Sequence, residues 1–293
     1  MSNPLVSVVV STYNHHKYID DCLKGILMQQ TTFHFEIILG EDESNDGTRE
    51  ICLTYAEKHP DKIKLFLRSR KDVIYISGNP TGRYNFLENL KASTGKYIAL
   101  CEGDDYWTDP LKLQKQVDFM EACPNFSLTF HNAIVVKDEK QIKQNMHENL
   151  DKDVFYTQDL LKQWFIPTAS ILFRNYKDFV LPDWFANCSS GDIALLLLLS
   201  LNGPFKYYNE PMSVYRLQQA GISNKHTGYD KVFSMIYLYK CFNFFTNNKF
   251  EAEIQNAMIY EIRKHLPNNT KAELKKLKQD LFIKSYLKIK KLF

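Results

Sequence analysis

The first half of the chain alternates short apolar runs with segments in which apolar residues recur at helical spacing. Four runs are typical of buried strands: residues 5–11, 35–39, 63–67 and 97–101. Helical spacing falls between these runs, at residues 19–27, 51–56 and 84–92. Repeated strand–helix units of this kind predict a parallel sheet with right-handed connections and helices on both faces.

The second half of the chain is predicted to be mostly helical. Residues 193–201 are apolar on every face and are followed by Gly203 and Pro204, which predicts a buried helix. Beyond about residue 225, apolar spacing predicts helices at residues 229–245, 250–265 and 269–292. We therefore expect an α/β domain over residues 1–225 and a helical region over residues 226–293.

Composition narrows the class of protein. The chain of 293 residues is 44% hydrophobic, which is enough for a sizeable core, and its formal charge of +3 does not indicate nucleic acid as a partner. Six cysteines are scattered singly, so we expect neither a zinc site nor a disulfide framework. A strand is predicted near the N-terminus, and the longest apolar run is about half a membrane span. These features lead us to expect a soluble, cytoplasmic protein without a signal peptide.

Three acids directly follow the fourth predicted strand. Glu102, Asp104 and Asp105 stand close together in a turn, where adjacent carboxylates repel each other. A hard divalent cation that also binds a phosphate commonly offsets this repulsion. The alternative is an exposed acidic turn before a helix that Asp109 caps and Pro110 begins. Both interpretations fit the sequence at this point.

Polar clusters also follow the other predicted strands, at residues 11–14 and 41–46. Ligands of parallel α/β sheets bind beyond the carboxyl ends of the strands, so these loops and the acids at residues 102–105 are expected to form one site. Asp42 can accept the ring N–H of uracil or thymine, or it can bond to backbone amides of its own loop. Asp46 or Thr48 is expected to cap the next helix.

The usual phosphate-binding loops are absent from the sequence. The Gly-Lys pair at residues 95–96 is not part of a P-loop motif, and no G-x-G-x-x-G follows the first strand. A diphosphate would therefore depend on a metal ion at Asp104 and Asp105, aided by a cation such as Arg83. Arg83 can equally be a solvated residue at a helix start.

Three segments together resemble the family 2 glycosyltransferases, which have the GT-A fold. They are residues 6–14 (VSVVVSTYN), 36–48 (EIILGEDESNDGT) and 95–105 (GKYIALCEGDD). The likeness covers about the first 125 residues well and continues more loosely to about residue 220. It implies a Rossmann-like, mostly parallel α/β sheet flanked by helices, followed by a helical C-terminal extension. It also implies an inverting enzyme that uses a nucleotide sugar.

The resemblance implies roles for residues at the sugar donor. Ser11 and Tyr13 would line the nucleotide pocket, with Tyr13 stacked on the base, and Asp42 would hold the pyrimidine edge of a UDP- or dTDP-linked sugar. Asp104 would contact the ribose or the metal. With Arg83 as a further cation, these residues make up the expected nucleotide-sugar site, within residues 1–125.

The resemblance also implies a metal site and a general base. Asp104 and Asp105 would bind Mn²⁺ or Mg²⁺, while Glu102 stands where the family usually has aspartate. Asp192 lies in the first turn of a predicted helix, where an acid also favours the helix dipole. In the family, an acid at this place takes the proton from the acceptor hydroxyl. Residues 126–225 would serve the acceptor, a glycan or a lipid-linked glycan.

The sequence also suggests roles for Arg216, Trp107 and three histidines, with two interpretations for the first two. Residues 215–223 look like a family loop near the diphosphate, so Arg216 would contact phosphate or acceptor, or would be a surface arginine. Trp107 would stack on sugar or pack beneath the next helix. His131 on an apolar strand is expected in the core, and the histidine pair at residues 15–16 is expected to be solvated.

Residues 269–292 form an amphipathic segment that carries eight lysines and two acids. Such a helix can lie on an anionic membrane surface, at the inner face of the membrane, or it can pack on the domain or on a second subunit.

Two rival functions remain at this stage. Sugar nucleotidyltransferases also use a metal-binding acid pair, but they usually carry a glycine-rich loop near the first strand, and residues 11–17 contain no glycine. A non-catalytic nucleotide-sugar or glycan-binding module is the other alternative.

Overall fold

A computed structural model describes residues 3–76, 78–138, 140–148, 150–176, 180–218 and 228–265. The strands are β1 (Val6–Thr12), β2 (Phe35–Glu41), β3 (Ile63–Leu67), β4 (Tyr75–Ile76), β5 (Asn79–Pro80), β6 (Tyr97–Leu100), β7 (Tyr106–Trp107), β8 (Leu128–Lys137), β9 (Lys140–Lys143), β10 (Val154–Phe155), β11 (Leu172–Arg174) and β12 (Phe205–Arg216). The α-helices are α1 (Ile19–Leu27), α2 (Thr48–Lys58), α3 (Arg83–Ala92), α4 (Lys112–Ala122), α5 (Thr157–Lys162), α6 (Gly191–Leu199), α7 (Gly228–Phe245) and α8 (Glu251–His265).

The described residues fall into two compact units. The first contains those of Met1–Phe155, Phe165–Phe179 and Asn202–Gln218, and the second those of Tyr156–Trp164, Val180–Leu201 and Gln219–Phe293. The expected boundary near residue 225 falls among residues 219–227, which lie outside the described part of the chain, so that division of the chain stays a prediction.

The first unit contains a sheet in the order β10–β12–β8–β11–β6–β1–β2–β3. The strands β6, β1, β2 and β3 pair in parallel, which confirms the predicted α/β fold. Nearly all residues of β1 and β2 are buried, as expected for strands covered on both faces. Beyond β6 the sheet changes character, because β11 runs antiparallel between β6 and β8.

A buried polar network fixes the register of the two central strands. Ser7 of β1 lies opposite Glu36 of β2, and its Oγ donates to Glu36 Oε1 at 2.6 Å. The backbone N–H of Gly95, just before β6, donates to the same Ser7 Oγ at 2.8 Å. Lys64 of β3 places its Nζ 2.6 Å from Glu36 Oε2. Ser7 and Glu36 are therefore paired inside the sheet, as buried polar groups usually are.

Helix α4 begins later than the sequence predicts. Pro110 and Leu111 form a turn, and the helix starts at Lys112. Asp109 still stabilises this entry, because its Oδ1 accepts the Leu111 N–H at 2.8 Å and its Oδ2 lies 2.8 Å from Lys115 Nζ. The expected start at Pro110 is therefore wrong by two residues, and the expected N-cap at Asp109 is wrong as well, because the N-cap position falls on Leu111.

The second unit contains α5 to α8. Helix α6 is buried from Ala194 to its end and packs against α5 and α7, which confirms the predicted buried helix. Helices α7 and α8 match the predicted segments 229–245 and 250–265. The predicted basic helix at residues 269–292 lies outside the described residues. Within the described part of the chain, no helix is long and apolar enough to cross a membrane.

Candidate active site

The loops that follow β1, β2 and β6 meet at the same edge of the sheet. The Asp42 N–H, just after β2, donates to the Thr12 carbonyl at the end of β1 at 3.1 Å. The Gly103 N–H, just after β6, donates to the Ser11 carbonyl at 3.1 Å. Both loops are thus tied to the end of β1, and the expected convergence of polar residues at this edge is confirmed.

One cluster at this edge combines a carboxylate, a guanidinium and an aromatic ring. Arg70 Nη1 donates to Asp42 Oδ2 at 2.6 Å, and the guanidinium lies 4.0 Å from the centre of the Tyr13 ring. Asp42 is only 2% exposed, whereas Tyr13 is 38% exposed. Burial raises the pKa of Asp42, and Arg70 opposes that rise. The cluster offers a flat ring, an acceptor and donors, which suits the edge and face of a nucleobase.

Arg70 was not found from the sequence. It follows β3 and begins a short 3₁₀ turn, Arg70–Asp72, which Glu43 holds by accepting the Arg70 N–H at 2.6 Å. The expectation that Asp42 bonds either to a base or to its own loop did not include a cation from the next strand. The only signal in the sequence was a basic residue a few positions beyond a predicted strand end.

The second cluster is the acid turn, residues 102–105. Asp105 is 2% exposed, and its Oδ1 accepts the backbone N–H of Arg216 at 2.8 Å. Asp104 is partly exposed and Glu102 is exposed. Burial and the neighbouring carboxylate of Asp104 raise the pKa of Asp105 well above its usual range, and the Arg216 N–H only partly opposes this. Two adjacent carboxyls, one of them buried, therefore lie at the carboxyl end of β6.

The acid turn supplies some, but not all, of the ligands that a divalent cation needs. Within the described residues, no group of three or more His, Cys, Asp or Glu side chains is arranged to hold a metal ion. The adjacent carboxyls of Asp104 and Asp105 are hard oxygen donors, and a cation held by them would offset the burial and the repulsion by Asp104 that raise the pKa of Asp105. Mg²⁺ and Mn²⁺ are often held by one or two carboxylates, with water and phosphate oxygens in the other positions.

Helix α3 brings further polar residues to the same edge. Asn89 Nδ2 donates to Ser11 Oγ at 3.3 Å, and Asn85 Nδ2 donates to the Gly40 carbonyl at 2.8 Å. Arg83 is the first residue of this helix and is 7% exposed. The expected alternative of a solvated Arg83 is therefore wrong, whereas its contact with a diphosphate stays a prediction.

Arg216 is not the surface arginine that one interpretation of the sequence expected. It is 7% exposed, and its Nη2 pairs with Asp21 Oδ2 on α1 at 2.6 Å. Its Nη1 donates to the Asp104 carbonyl at 2.9 Å. The guanidinium also lies near two aromatic rings, at 5.1 Å from Tyr18 and 4.5 Å from Tyr106. Arg216 thus contacts the acid turn, whereas its expected contact with phosphate or acceptor stays a prediction.

The expected solvation of the histidine pair is correct for His16 and wrong for His15. His15 is partly buried, and its Nδ1 lies 3.2 Å from Thr12 Oγ1. A Cβ on Gly103 would lie 2.6 Å from Thr12 Oγ1 and 2.8 Å from His15 Nδ1, so the acid turn needs glycine there. Burial lowers the pKa of His15, and the nearby charge of Asp104 opposes that change.

Trp107, Lys112 and His131 are buried side chains of the first unit. Trp107 is 1% exposed and its Nε1 donates to the Ala169 carbonyl at 2.8 Å, so its ring packs in the core rather than facing a sugar. Lys112 Nζ lies 3.9 Å from the centre of that ring. His131 is fully buried, which confirms its expected place in the core.

Asp192 belongs to the second unit. It lies in the first turn of α6, as predicted, and is partly exposed. Its role as the base stays a prediction that rests on the resemblance. The part of the loop 215–223 that follows residue 218 lies outside the described residues.

Comparison with known proteins gives a family match. The model of glycosyl transferase family 2 matches residues 7–185. The uncharacterized protein Rv1520 of Mycobacterium tuberculosis is 34% identical over 222 residues, which are 74% of this chain and 60% of that protein. The "Putative teichuronic acid biosynthesis glycosyltransferase TuaG" of Bacillus subtilis is 30% identical over 227 residues, 75% of this chain and 82% of that protein.

Solved structures show a similar fold. TarS 1–349 of S. aureus in complex with UDP-GlcNAc has a TM-score of 0.58 at 18% identity, and the match covers 86% of this chain and 74% of that one. The mannosyltransferase PcManGT of Pyrobaculum calidifontis, in complex with GDP-Man and Mn²⁺, has a TM-score of 0.56 at 14% identity, with 97% and 81% covered. At these identities the likeness concerns the fold alone.

Proposed function

The chain belongs to glycosyl transferase family 2, and we propose that it transfers a sugar from a nucleoside-diphosphate sugar to a hydroxyl group of a glycan or lipid-linked acceptor. The observation that carries this proposal is that two different clusters meet at one edge of the parallel sheet. One is the base-sized cluster of Tyr13, Asp42 and Arg70, and the other is the pair of Asp104 and Asp105. A nucleoside diphosphate has a base at one end and a cation-binding diphosphate at the other.

The first cluster supports a pyrimidine donor. Asp42 can accept the N3–H of uracil or thymine, and Arg70 can donate to a carbonyl beside it. Tyr13 is exposed enough to stack on the ring. Cytosine lacks an N3–H, so the same carboxylate would repel it. UDP- or dTDP-linked sugars are the donors we propose, and the UDP-GlcNAc complex of the S. aureus protein is compatible with them.

The second cluster supports binding of the diphosphate. Asp104 and Asp105 would hold Mn²⁺ or Mg²⁺, which when bound would neutralise charge on the diphosphate leaving group. Ser11 lies at the end of β1 beside this cluster, and Arg83 would add positive charge from the first turn of α3. The mannosyltransferase of known structure was solved with Mn²⁺, which supports this choice of ion.

The transfer itself would need a base. We propose Asp192, which would accept the proton of the acceptor hydroxyl while that oxygen bonds to the anomeric carbon. The bond from that carbon to the diphosphate breaks, and its electron pair leaves with the nucleoside diphosphate. Attack from the face opposite the leaving group inverts the anomeric configuration. The B. subtilis relative is named for teichuronic acid biosynthesis, which is compatible with a glycan acceptor.

A test of this function is release of nucleoside diphosphate from a panel of UDP-, dTDP- and GDP-sugars, in Mn²⁺ and in EDTA. We expect turnover in Mn²⁺ that EDTA abolishes. Asp192→Asn should reduce turnover at least about a hundredfold while donor affinity stays within about twofold. Normal turnover of this variant would remove Asp192 from the base role.

The same panel separates the two rival functions. A binding module would bind a nucleotide sugar without hydrolysing or transferring it. A nucleotidyltransferase would instead release pyrophosphate from a nucleoside triphosphate and a sugar 1-phosphate. Either result would contradict the proposed transfer.

We also propose a peripheral membrane location, because the segment 269–292 is basic and amphipathic. Full-length protein should float with vesicles that contain anionic lipid, and a variant that ends at His265 should not. Equal flotation of the two proteins would end this idea, and a lipid-linked acceptor would then need other support.

A further inference from the structure

Arg216, the last residue of β12, contacts the acid turn through both its backbone and its side chain. Its N–H donates to Asp105 Oδ1 at 2.8 Å, which fixes the orientation of that carboxyl. Its Nη1 donates to the carbonyl of Asp104 at 2.9 Å. That carbonyl belongs to the peptide group between Asp104 and Asp105, so the bond also fixes the backbone that carries both acids.

The guanidinium of Arg216 is itself held tightly. Its Nη2 pairs with Asp21 Oδ2 at 2.6 Å, and the guanidinium lies 5.1 Å from the centre of the Tyr18 ring and 4.5 Å from that of Tyr106. The arginine side chain is 6% exposed, whereas that of Asp21 is 49% exposed. A planar cation that donates to two different acceptors, Asp21 and the Asp104 carbonyl, has little rotamer freedom left, so it can act as a rigid support.

Because of its pairing with Asp21, Arg216 can support the geometry of the acid turn without neutralising the charge of Asp104 and Asp105. Because Asp21 cancels the charge of Arg216, the pair adds little net charge to the acid turn. Asp104 and Asp105 therefore still need a cation, although their geometry is already supported. Without the two bonds from Arg216, the adjacent carboxylates would repel each other and turn apart.

We propose that Arg216 is a positioning residue, which holds the Asp104–Asp105 pair in the orientation that binds a divalent cation, and that Asp21 holds Arg216 for this task. This inference rests on the proposed function, since it concerns the same acid pair. It assigns a role to a residue 111 positions from Asp105 in the chain. It also gives a role to Asp21, which stands outside every motif of the sequence.

The test compares Arg216→Met, Arg216→Lys and Asp21→Asn with the wild-type protein. The affinity for Mn²⁺ is measured by the EPR signal of free Mn²⁺, in the presence of whichever of UDP, dTDP, GDP and CDP binds the wild-type protein most tightly. Donor turnover is measured in parallel, with KM and kcat separated. The full-length chain is used throughout, and circular dichroism establishes that each variant is folded.

Arg174→Met is the matched control. Arg174 also ends a strand, and its guanidinium donates to the carbonyls of Phe126, at 2.8 Å, and Cys123, at 3.1 Å. It also donates to the hydroxyl of Tyr97 at 3.0 Å. Its loss should lower the melting temperature of the protein without changing Mn²⁺ affinity.

We expect Arg216→Met to weaken Mn²⁺ binding at least about tenfold and to lower kcat by a similar factor, the scale of one lost charge-assisted hydrogen bond. Both substitutions keep the backbone bond to Asp105, but only Arg216→Lys keeps a charged side-chain donor, so it should recover part of the affinity. Asp21→Asn should act in the same direction more weakly, and combining it with Arg216→Met should add little, because the two residues act as one unit.

Unchanged Mn²⁺ affinity in folded Arg216→Met would overturn the proposal. If that variant does not fold, then unchanged affinity in both Arg216→Lys and Asp21→Asn would overturn it. So would an equal loss of Mn²⁺ affinity in the Arg174→Met control, because the effect would then be general destabilisation. Failure of the proposed function looks different, since the wild-type protein itself would then bind no nucleotide with Mn²⁺.

Discussion

At the scale of single residues, Lys112 gives a prediction about pH. It is fully buried, and burial lowers the pKa of its ammonium group to about 7 from 10.5. Between these two values the unfolded chain binds a proton that the folded chain does not bind. The stability of the protein should therefore rise as the pH increases from about 7 towards 10.5, by about 1.4 kcal/mol for each unit by which the pKa is lowered.

The measurement is urea unfolding of the wild-type protein and of Lys112→Met at about pH 7 and about pH 9. The difference between the two proteins isolates Lys112, because buried thiols and phenols contribute equally to both. We expect the wild-type protein to gain stability relative to the variant as the pH rises. A stability difference that does not change with pH would show that the buried lysine is not titrating in this range.

Arg70 gives a second prediction at this scale. Arg70→Met would leave the buried carboxylate of Asp42 without its partner and would remove the cation beside Tyr13. We expect UDP affinity to fall about tenfold or more, as measured by calorimetry. Lys71→Met is the matched control, because it removes an equal charge from the same turn at an exposed position. Equal losses in the two variants would mean that only general charge matters.

Candidate site residues could be predicted only where a polar side chain directly follows a predicted strand. Asp42, Asp104 and Asp105 stand at the ends of apolar runs, so a local pattern identified them. Arg70 and Arg216 could not be identified in this way, because they reach these acids from 28 and 111 residues away. Pairings over such distances depend on the order of strands in the sheet, which a local pattern does not contain.

At the scale of elements, the close approach of α3 to β2 gives a third prediction. A Cβ at Gly40 would overlap the side-chain amides of Asn85 and Asn89, which bond to the strand ends. Gly40→Ala should destabilise the protein by about 1–3 kcal/mol, as overpacking does. Gly82→Ala, where a Cβ would meet nothing within 4 Å, should be nearly neutral. Urea unfolding measures both, and equal stability of the two variants would contradict the argument.

The elements themselves were predicted well where burial is continuous. The strands β1, β2, β3 and β6 and the helices between them correspond to apolar patterns within one or two residues at most ends. The antiparallel strand β11 was not predicted, because three residues carry no detectable period. The start of α4 at Lys112 was not predicted either. An Asp-Pro pair is typical of the residues just before a helix, but it does not show whether a turn lies between the pair and the helix.

At the scale of the whole molecule, the sequence predicted the α/β class and the family, whereas the expected boundary near residue 225 stays a prediction. The second unit is discontinuous in sequence and takes in Tyr156–Trp164 and Val180–Leu201. A prediction that divides a chain into consecutive segments cannot recognise a unit that is built from separate segments. The resemblance covered the motifs that we propose contact the donor and indicated little about the acceptor, because acceptor contacts are not carried by a short motif.

We propose that a nucleoside diphosphate binds at the carboxyl edge of the sheet through a cation on Asp104 and Asp105. The most direct test is calorimetric titration of UDP, dTDP, GDP and CDP into the wild-type protein and Asp105→Asn, in Mn²⁺ and in EDTA. We predict that UDP or dTDP binds in Mn²⁺ and that affinity falls at least about tenfold in EDTA and in the variant. The variant itself should stay folded, because it removes a buried carboxylate from beside Asp104. Equal affinity in Mn²⁺ and EDTA, with no effect of the variant, would contradict the account.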